Sequence, residues 1–198
     1  MGRGAQGRGL TMSTMRGDDT VRESRLSYLW GPLSRFGLAA ALIVCLLDQA
    51  AKLWLLFSFD LGARGVVPLT PFLDLVLTWN KGISYGLFQQ DGPYGQWALL
   101  VFKALAVALL WIWMARVTTR LSALSLGLII GGAVGNSIDR VAYGAVADFL
   151  HFHVTTATWS FSWYVFNLAD VAIVVGVIGL LYESLLGDHA AKAPRSGT

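Results

Sequence analysis

Leu121-Ser-Ala-Leu-Ser-Leu-Gly-Leu-Ile-Ile-Gly-Gly-Ala-Val-Gly-Asn-Ser-Ile138 runs straight into Asp139-Arg-Val-Ala-Tyr-Gly-Ala-Val-Ala-Asp148. The first half carries no charge and, at roughly 20 residues per crossing, is long enough to span a bilayer as a helix. Gly127, Gly131 and Gly135 recur at four-residue spacing, which puts them on one stripe. In lipid, where burying apolar surface drives nothing together, such a stripe lets a neighbouring backbone come close enough to hold by packing. The second half brings Asn136, Asp139, Arg140 and Asp148 to one end of that helix. A carboxylate beside hydrocarbon is costly, so Asp148 calls for a named partner.

The rest of the chain repeats the pattern. Uncharged or nearly uncharged runs occupy about 36–57, 96–115, 121–138 and 168–186. With 55% hydrophobic and 14% charged residues among 198, and a mean hydropathy of +0.58, the chain is too apolar for an ordinary soluble domain. Four spans follow. Arg3, Arg8, Arg16, Arg22, Arg25 and Arg35 precede the first, Arg116 and Arg120 lie between the second and third, and Lys192 and Arg195 follow the fourth. The positive-inside rule puts those regions in the cytoplasm, leaving Arg64, Lys81 and Arg140 on the other side. The expected architecture is an all-α membrane protein of four transmembrane helices with a small extracytoplasmic β-containing cradle. Residues 1–34 read as a disordered cytoplasmic tail, 35–187 as the membrane domain with its large outer loop at 58–94, and 188–198 as a cytoplasmic C-terminal tail.

Within the first span, Asp48 and Lys52 stand at i,i+4 in Asp48-Gln-Ala-Ala-Lys52 and so share a helix face. Two readings stand: a self-neutralising pair with Lys52 snorkelling to the headgroups, or a pair that braces a site or holds a lipid phosphate. Lys103 lies about 12 Å inside the second span at 1.5 Å per residue, a depth at which it either meets Asp48 or snorkels. In the outer loop Phe72-Leu-Asp-Leu-Val-Leu-Thr-Trp79 alternates as a strand does. It leads into Asn80-Lys-Gly82, where Asn beside Gly marks a tight turn. Residues 149–166, rich in aromatic and β-branched types, read as one surface segment at the headgroups. The single cysteine, Cys45, forms no intrachain disulfide.

Asn167 opens the fourth span and Asp170 follows three residues later. Asn is a good helix cap and an acid suits the first turn, so Asp170 reads as a capping acid unless Asp148 is beside it. Both aspartates belong to the same membrane face. Two carboxylates in contact share one proton near neutrality, so one can draw a proton from water while the other polarises a carbonyl. That is peptide hydrolysis without a covalent intermediate. Asp170, at a helix start, is the expected base.

The combination of Asp48-Gln-Ala-Ala-Lys52, Asn80-Lys-Gly82, Gly131 through Arg140 into Val146-Ala-Asp148-Phe, and Phe166-Asn-Leu-Ala-Asp170 closely resembles the bacterial lipoprotein signal peptidases, signal peptidase II, over about residues 36–186. The resemblance implies an aspartic endopeptidase of the bacterial cytoplasmic membrane that removes the signal peptide ahead of a diacylglyceryl cysteine in prolipoproteins. It implies Asp148 and Asp170 as the catalytic pair. Asn80, Gly82, Asn136, Arg140 and Asn167 would line the substrate pocket, and Asp48 and Lys52 would be its polar support. It further implies no metal or other cofactor, membrane lipids and globomycin-type inhibitors as partners, cytoplasmic termini and an extracytoplasmic site. After Gly82 this chain has Ile-Ser-Tyr where many members have Ala-Ala-Phe.

Other readings are set beside it. Gly82-Ile-Ser84-Tyr-Gly86 fits the G-x-S-x-G pattern of serine hydrolases with His151 or His153 as base, yet no α/β sheet can be built here to carry that elbow. The same histidines form a metal pair only if a third ligand joins them. A transporter relay through Asp48, Lys103, Asp148 and Asp170 needs polar groups in the inner halves of the spans. Nucleic acid is not an expected partner, since no basic face with interleaved aromatics lies outside the tail.

Overall fold

The computed structural model describes residues 29–82 and 93–192. The N-terminal tail up to residue 28, the Ser84 motif beyond Gly82 and residues 193–198 lie outside the described residues. Helix α1 spans Ser34–Leu53 and continues into a π-helical turn, Trp54–Ser58. After it come α2 (Leu61–Arg64), β1 (Val67–Thr70), β2 (Leu73–Asn80), α3 (Pro93–Met114), α4 (Arg120–Tyr143), β3 (Val146–Thr155), β4 (Ser160–Phe166) and α5 (Leu168–Lys192). Four segments are long and apolar enough to cross a bilayer, Ser34–Ser58, Trp97–Met114, Arg120–Tyr143 and Leu168–Leu185. The chain is a multi-pass membrane protein, and its spans match the four apolar runs of the sequence.

Helix α4 is the most buried span and packs against α1 on one side and α5 on the other, with α3 resting on it more lightly. The glycine stripe explains the first contact. A Cβ added at Gly127 would lie 2.4 Å from the Gly37 carbonyl oxygen, and one at Gly131 would lie 2.4 Å from that of Ala41. Both distances are far inside van der Waals contact, so the two backbones touch where only glycine fits. Gly132 makes the equivalent approach to the Ala169 carbonyl on α5. The inner end of the bundle is filled by Ala41, Met114, Val117, Ala123, Leu126 and Ile130. Nearby, Thr119 and Ser122 at the start of α4 both donate to the Glu183 carboxylate of α5.

The other end is closed by an antiparallel sheet in the order β1-β2-β3-β4. The Phe59 amide donates to the Trp54 carbonyl at 2.8 Å, the i→i+5 bond of a widened turn. Asp60, in the left-handed region at φ 52°, then redirects the chain. Leu55 and Leu61 from this corner pack with Leu75 of β2 and Phe149 of β3, which seats the sheet on the bundle. The strand expected at 72–79 is β2. The single surface segment expected at 149–166 is instead a hairpin, and it supplies half the sheet, so the cradle is not confined to 58–94. Its turn contains Thr156-Ala-Thr-Trp159 without the usual Gly, Asn or Pro. Thr156 closes it, accepting from the Trp159 amide at 3.0 Å.

Candidate active site

Two strands and three helices deliver polar groups to one place beneath the sheet. At the end of α4, Gly144 adopts φ 72° and its amide caps the Arg140 carbonyl, which turns the chain directly into β3. Asp148 sits two residues into that strand, paired in register with Thr78 while Val146 pairs with Asn80. The pairing brings Asn80 to Asp148, and the Asn80 Nδ2 donates to Asp148 Oδ2 at 3.1 Å. Asn80 Oδ1 accepts from the Gly82 amide at 3.1 Å, the side-chain-closed turn expected of Asn two residues before Gly. The Gly82 carbonyl in turn accepts from Arg140 Nη2 at 2.9 Å. Arg140 thus holds Gly82 and not Asp148. Its Nε and Nη1 are buried and have no hydrogen-bond partner among the described residues.

The start of α5 is a reciprocal cap. Asn167 Oδ1 accepts from the Asp170 amide at 2.9 Å, and Asp170 Oδ2 accepts from the Asn167 amide at 3.2 Å, so two otherwise orphaned backbone donors are satisfied. Asp170 is therefore a capping acid, as its position suggested. It is also more. The Asn167 Nδ2 donates to Asp148 Oδ1 at 2.6 Å and to Asn136 Oδ1 at 3.0 Å, and the Asn136 Nδ2 donates to Asp170 Oδ1 at 2.8 Å. One fully buried asparagine thereby touches both aspartates. Burial raises the Asp148 carboxyl to about 6, helped by the charge of Asp170 and opposed by the donors of Asn80 and Asn167.

Beneath lies a buried charge cluster. Lys52 Nζ lies 2.7 Å from Asp48 Oδ2 and 2.8 Å from Asp139 Oδ2, and donates to Asn136 Oδ1 at 3.1 Å. Lys52 is 2% exposed, so it is buried between the two carboxylates and does not snorkel to the headgroups. Asp48 Oδ1 accepts from the Ala169 amide at 3.0 Å, placing an anion against the first turn of α5. No ion pair joins Asp48 to Lys103 among the described residues. Gly135 makes room for this cluster, since a Cβ there would fall 2.9 Å from Asp48 Oδ2.

The residues that the family resemblance put at the site, Asn80, Gly82, Asn136, Arg140, Asp148, Asn167, Asp170, Asp48 and Lys52, are joined in one continuous run of hydrogen bonds and ion pairs. Two members were missed. Asp139 takes Lys52, the Gln49 Nε2 at 2.8 Å and the Ala147 amide at 3.1 Å, and Gln49 also donates to the Gly135 carbonyl at 3.1 Å. The signal was available. Continuing Gly127, Gly131, Gly135 by four more residues lands on Asp139, on the stripe that faces α1. His151 and His153 lie apart from this cluster. His153 Nε2 is 2.9 Å from Asp74 Oδ2 and His151 Nε2 is 2.8 Å from Ser162 Oγ. Among the described residues no group of three His, Cys, Asp or Glu is arranged to hold a metal ion.

Comparison with known proteins meets the same residues. The family described as signal peptidase (SPase) II matches residues 40–186. A lipoprotein signal peptidase of Rhodopseudomonas palustris (strain TIE-1) is 62% identical over 160 residues, 81% of this chain and 98% of its own. One of Nitrobacter hamburgensis is 65% identical over 160 residues, with the same coverage. A bacterial membrane enzyme solved by the in meso method shares the fold, with a TM-score of 0.62 at 23% identity over 82% of this chain and 94% of that one. Since the family match takes in α1 from residue 40, all of α3, α4 and the sheet, and α5 to residue 186, and so encloses the whole polar cluster, the chain belongs to the signal peptidase II family.

Proposed function

We propose that the chain is an aspartic endopeptidase that cleaves the signal peptide from prolipoproteins on the N-terminal side of a diacylglyceryl cysteine. Asp148 and Asp170 act as its catalytic pair. The observation that carries this reading is the side chain of Asn167, bonded to Asp148 Oδ1 and to the Asp170 amide at once. It ties the two acids to one small volume.

In the proposed reaction, Asp170 takes a proton from water as the water oxygen attacks the scissile carbonyl carbon. Asp148, whose proton burial retains to about pH 6, gives that proton to the carbonyl oxygen. The resulting diol collapses. The C–N bond breaks, Asp170 returns its proton to the departing cysteine amine, and a diol hydroxyl returns one to Asp148. The products are a peptide acid and a free amine, and both aspartates end as they began.

Asn80, Asn136 and Asn167 fix the carboxylates, Gly82 lets a peptide pass close to the backbone, and the two unbonded Arg140 donors receive substrate carbonyl oxygens. Asp48 and Lys52, with Asp139 and Gln49, hold Asn136 and the start of α5 from below. The sheet stands on the extracytoplasmic side with both termini in the cytoplasm. The acyl chains of the substrate stay among membrane lipids while the scissile bond meets the acids at the surface.

The test uses purified protein in detergent, a diacylglyceryl precursor and the same precursor without lipid, each with and without globomycin. Release of signal peptide from the lipidated precursor alone, stopped by globomycin, is the expected result. Equal release from the unlipidated precursor would remove the substrate assignment.

A further inference from the structure

Helix α3 carries one charge whose role the site above leaves open. Its half-buried positions Lys103, Ala106, Val107 and Leu110 recur at i, i+3, i+4 and i+7, and Val107 and Leu110 pack on the inner core together with Leu180 of α5. Lys103 therefore shares the face turned toward the bundle, while Phe102, Leu105 and Leu109 point to lipid. It makes no hydrogen bond or ion pair among the described residues. The charges that act on it are those of the site, Arg140 first, then Asp170, Lys52 and Asp139.

Helices α3 and α5 each rest on α4 and scarcely touch one another. Toward the inner side the gap between them is closed by Leu126 and its neighbours. Toward the sheet Ala133 and Ser137 of α4 and Asp170 and Ile173 of α5 stay partly exposed. Lys103 stands at the edge of that outer cleft, roughly 9 Å down the helix from Trp97 at 1.5 Å per residue.

A cation held at hydrocarbon depth without a partner is costly, and such residues mark places where an opposite charge arrives. The proposed hydrolysis makes one. Breaking the C–N bond and adding water leaves a carboxylic acid on the released apolar peptide, which ionises at neutral pH beside two other acids. We propose that Lys103 receives this new carboxylate, drawing the C-terminus of the cut signal peptide down from the aspartates into the α3–α5 cleft. The inference rests on the peptidase reading above.

The test is binding of a fluorescent apolar signal peptide, ending at the residue before the cut, to the protein in lipid nanodiscs. The peptide is supplied as the free acid and as the C-terminal amide. A charge-assisted contact amounts to roughly tenfold in affinity, so wild type should bind the acid about tenfold more tightly than the amide. Lys103→Met should bind both alike, and Lys103→Arg should keep the preference. A preference that survives in Lys103→Met, or is missing from wild type, overturns the proposal and leaves Lys103 a snorkelling residue. These arms need no turnover. Failure of wild type to cut a lipidated precursor would instead count against the peptidase reading.

Discussion

Replacing Lys52 by methionine keeps a chain of similar length and removes the charge between two carboxylates. Lys52 is 2% exposed, and Asp48 and Asp139 are both fully buried, with the ammonium 2.7 Å from one and 2.8 Å from the other. Asp139 would keep the Gln49 and Ala147 donors and Asp48 the Ala169 amide, but neither would face a cation. Breaking a buried pair by removing one partner costs about 3–5 kcal/mol, which for a chain of this size lowers the midpoint of thermal unfolding by on the order of 10 °C. Asn136 would also lose its Lys52 bond at 3.1 Å, loosening the amide that reaches Asp170. Tryptophan fluorescence during heating in detergent measures the first effect and signal-peptide release the second. The double variant Asp48→Asn, Lys52→Met strands one anion fewer and should regain part of the lost stability. Arginine should not substitute, because the space around Lys52 is closed. A Lys52→Met protein as stable and active as wild type, or a double variant no more stable than the single one, would refute the account of this cluster.

Other expectations follow from the same contacts. Gly131→Ala places a methyl 2.4 Å from a backbone oxygen that cannot turn aside, and should destabilise by about 1–3 kcal/mol in the same heating assay. Gly62→Ala, which meets only a Leu77 methyl at 3.6 Å, should be neutral. Asn167→Ala removes the helix cap and the donor to Asp148, so release should fall roughly a hundredfold through misplacement of the acids, with only about 1–2 kcal/mol lost in stability. Asp148 must be protonated to act as the acid, so kcat/KM should decline as pH rises through about 6. Its folded-state affinity for a proton exceeds that of the unfolded chain, whose carboxyl titrates near 3.8. Stability from this group should accordingly fall between about pH 4 and 6, by roughly 3 kcal/mol, and unfolding midpoints across that range in wild type and Asp148→Asn separate its share.

Much of this was legible in the order of residues. Four apolar runs gave four spans because length and hydropathy alone decide what crosses a bilayer, and the Gly127, Gly131, Gly135 stripe foretold a close helix contact, though not that α1 makes it. The convergence of Asn80, Asn136 and Asn167 on the aspartates was carried by family resemblance, since no local period relates residues so far apart in sequence. The β3–β4 hairpin escaped because its turn is closed by a threonine side chain instead of glycine or proline. Asp139 escaped for a different reason. Directly before Arg140, it points away from that residue's face and was given no partner, whereas its stripe neighbours are the glycines one and two turns back. Lys103 was weighed against Asp48, but the Lys52 ammonium already fills that place.

The central claim is that Asp148 and Asp170 act together on one water. Signal-peptide release from a lipidated precursor should be measured for wild type, Asp148→Asn and Asp170→Asn, each first shown to unfold cooperatively in the same detergent. Both variants should remain folded and release nothing detectable, since an amide can neither take the water proton nor return it. Turnover within tenfold of wild type in either variant would contradict the account.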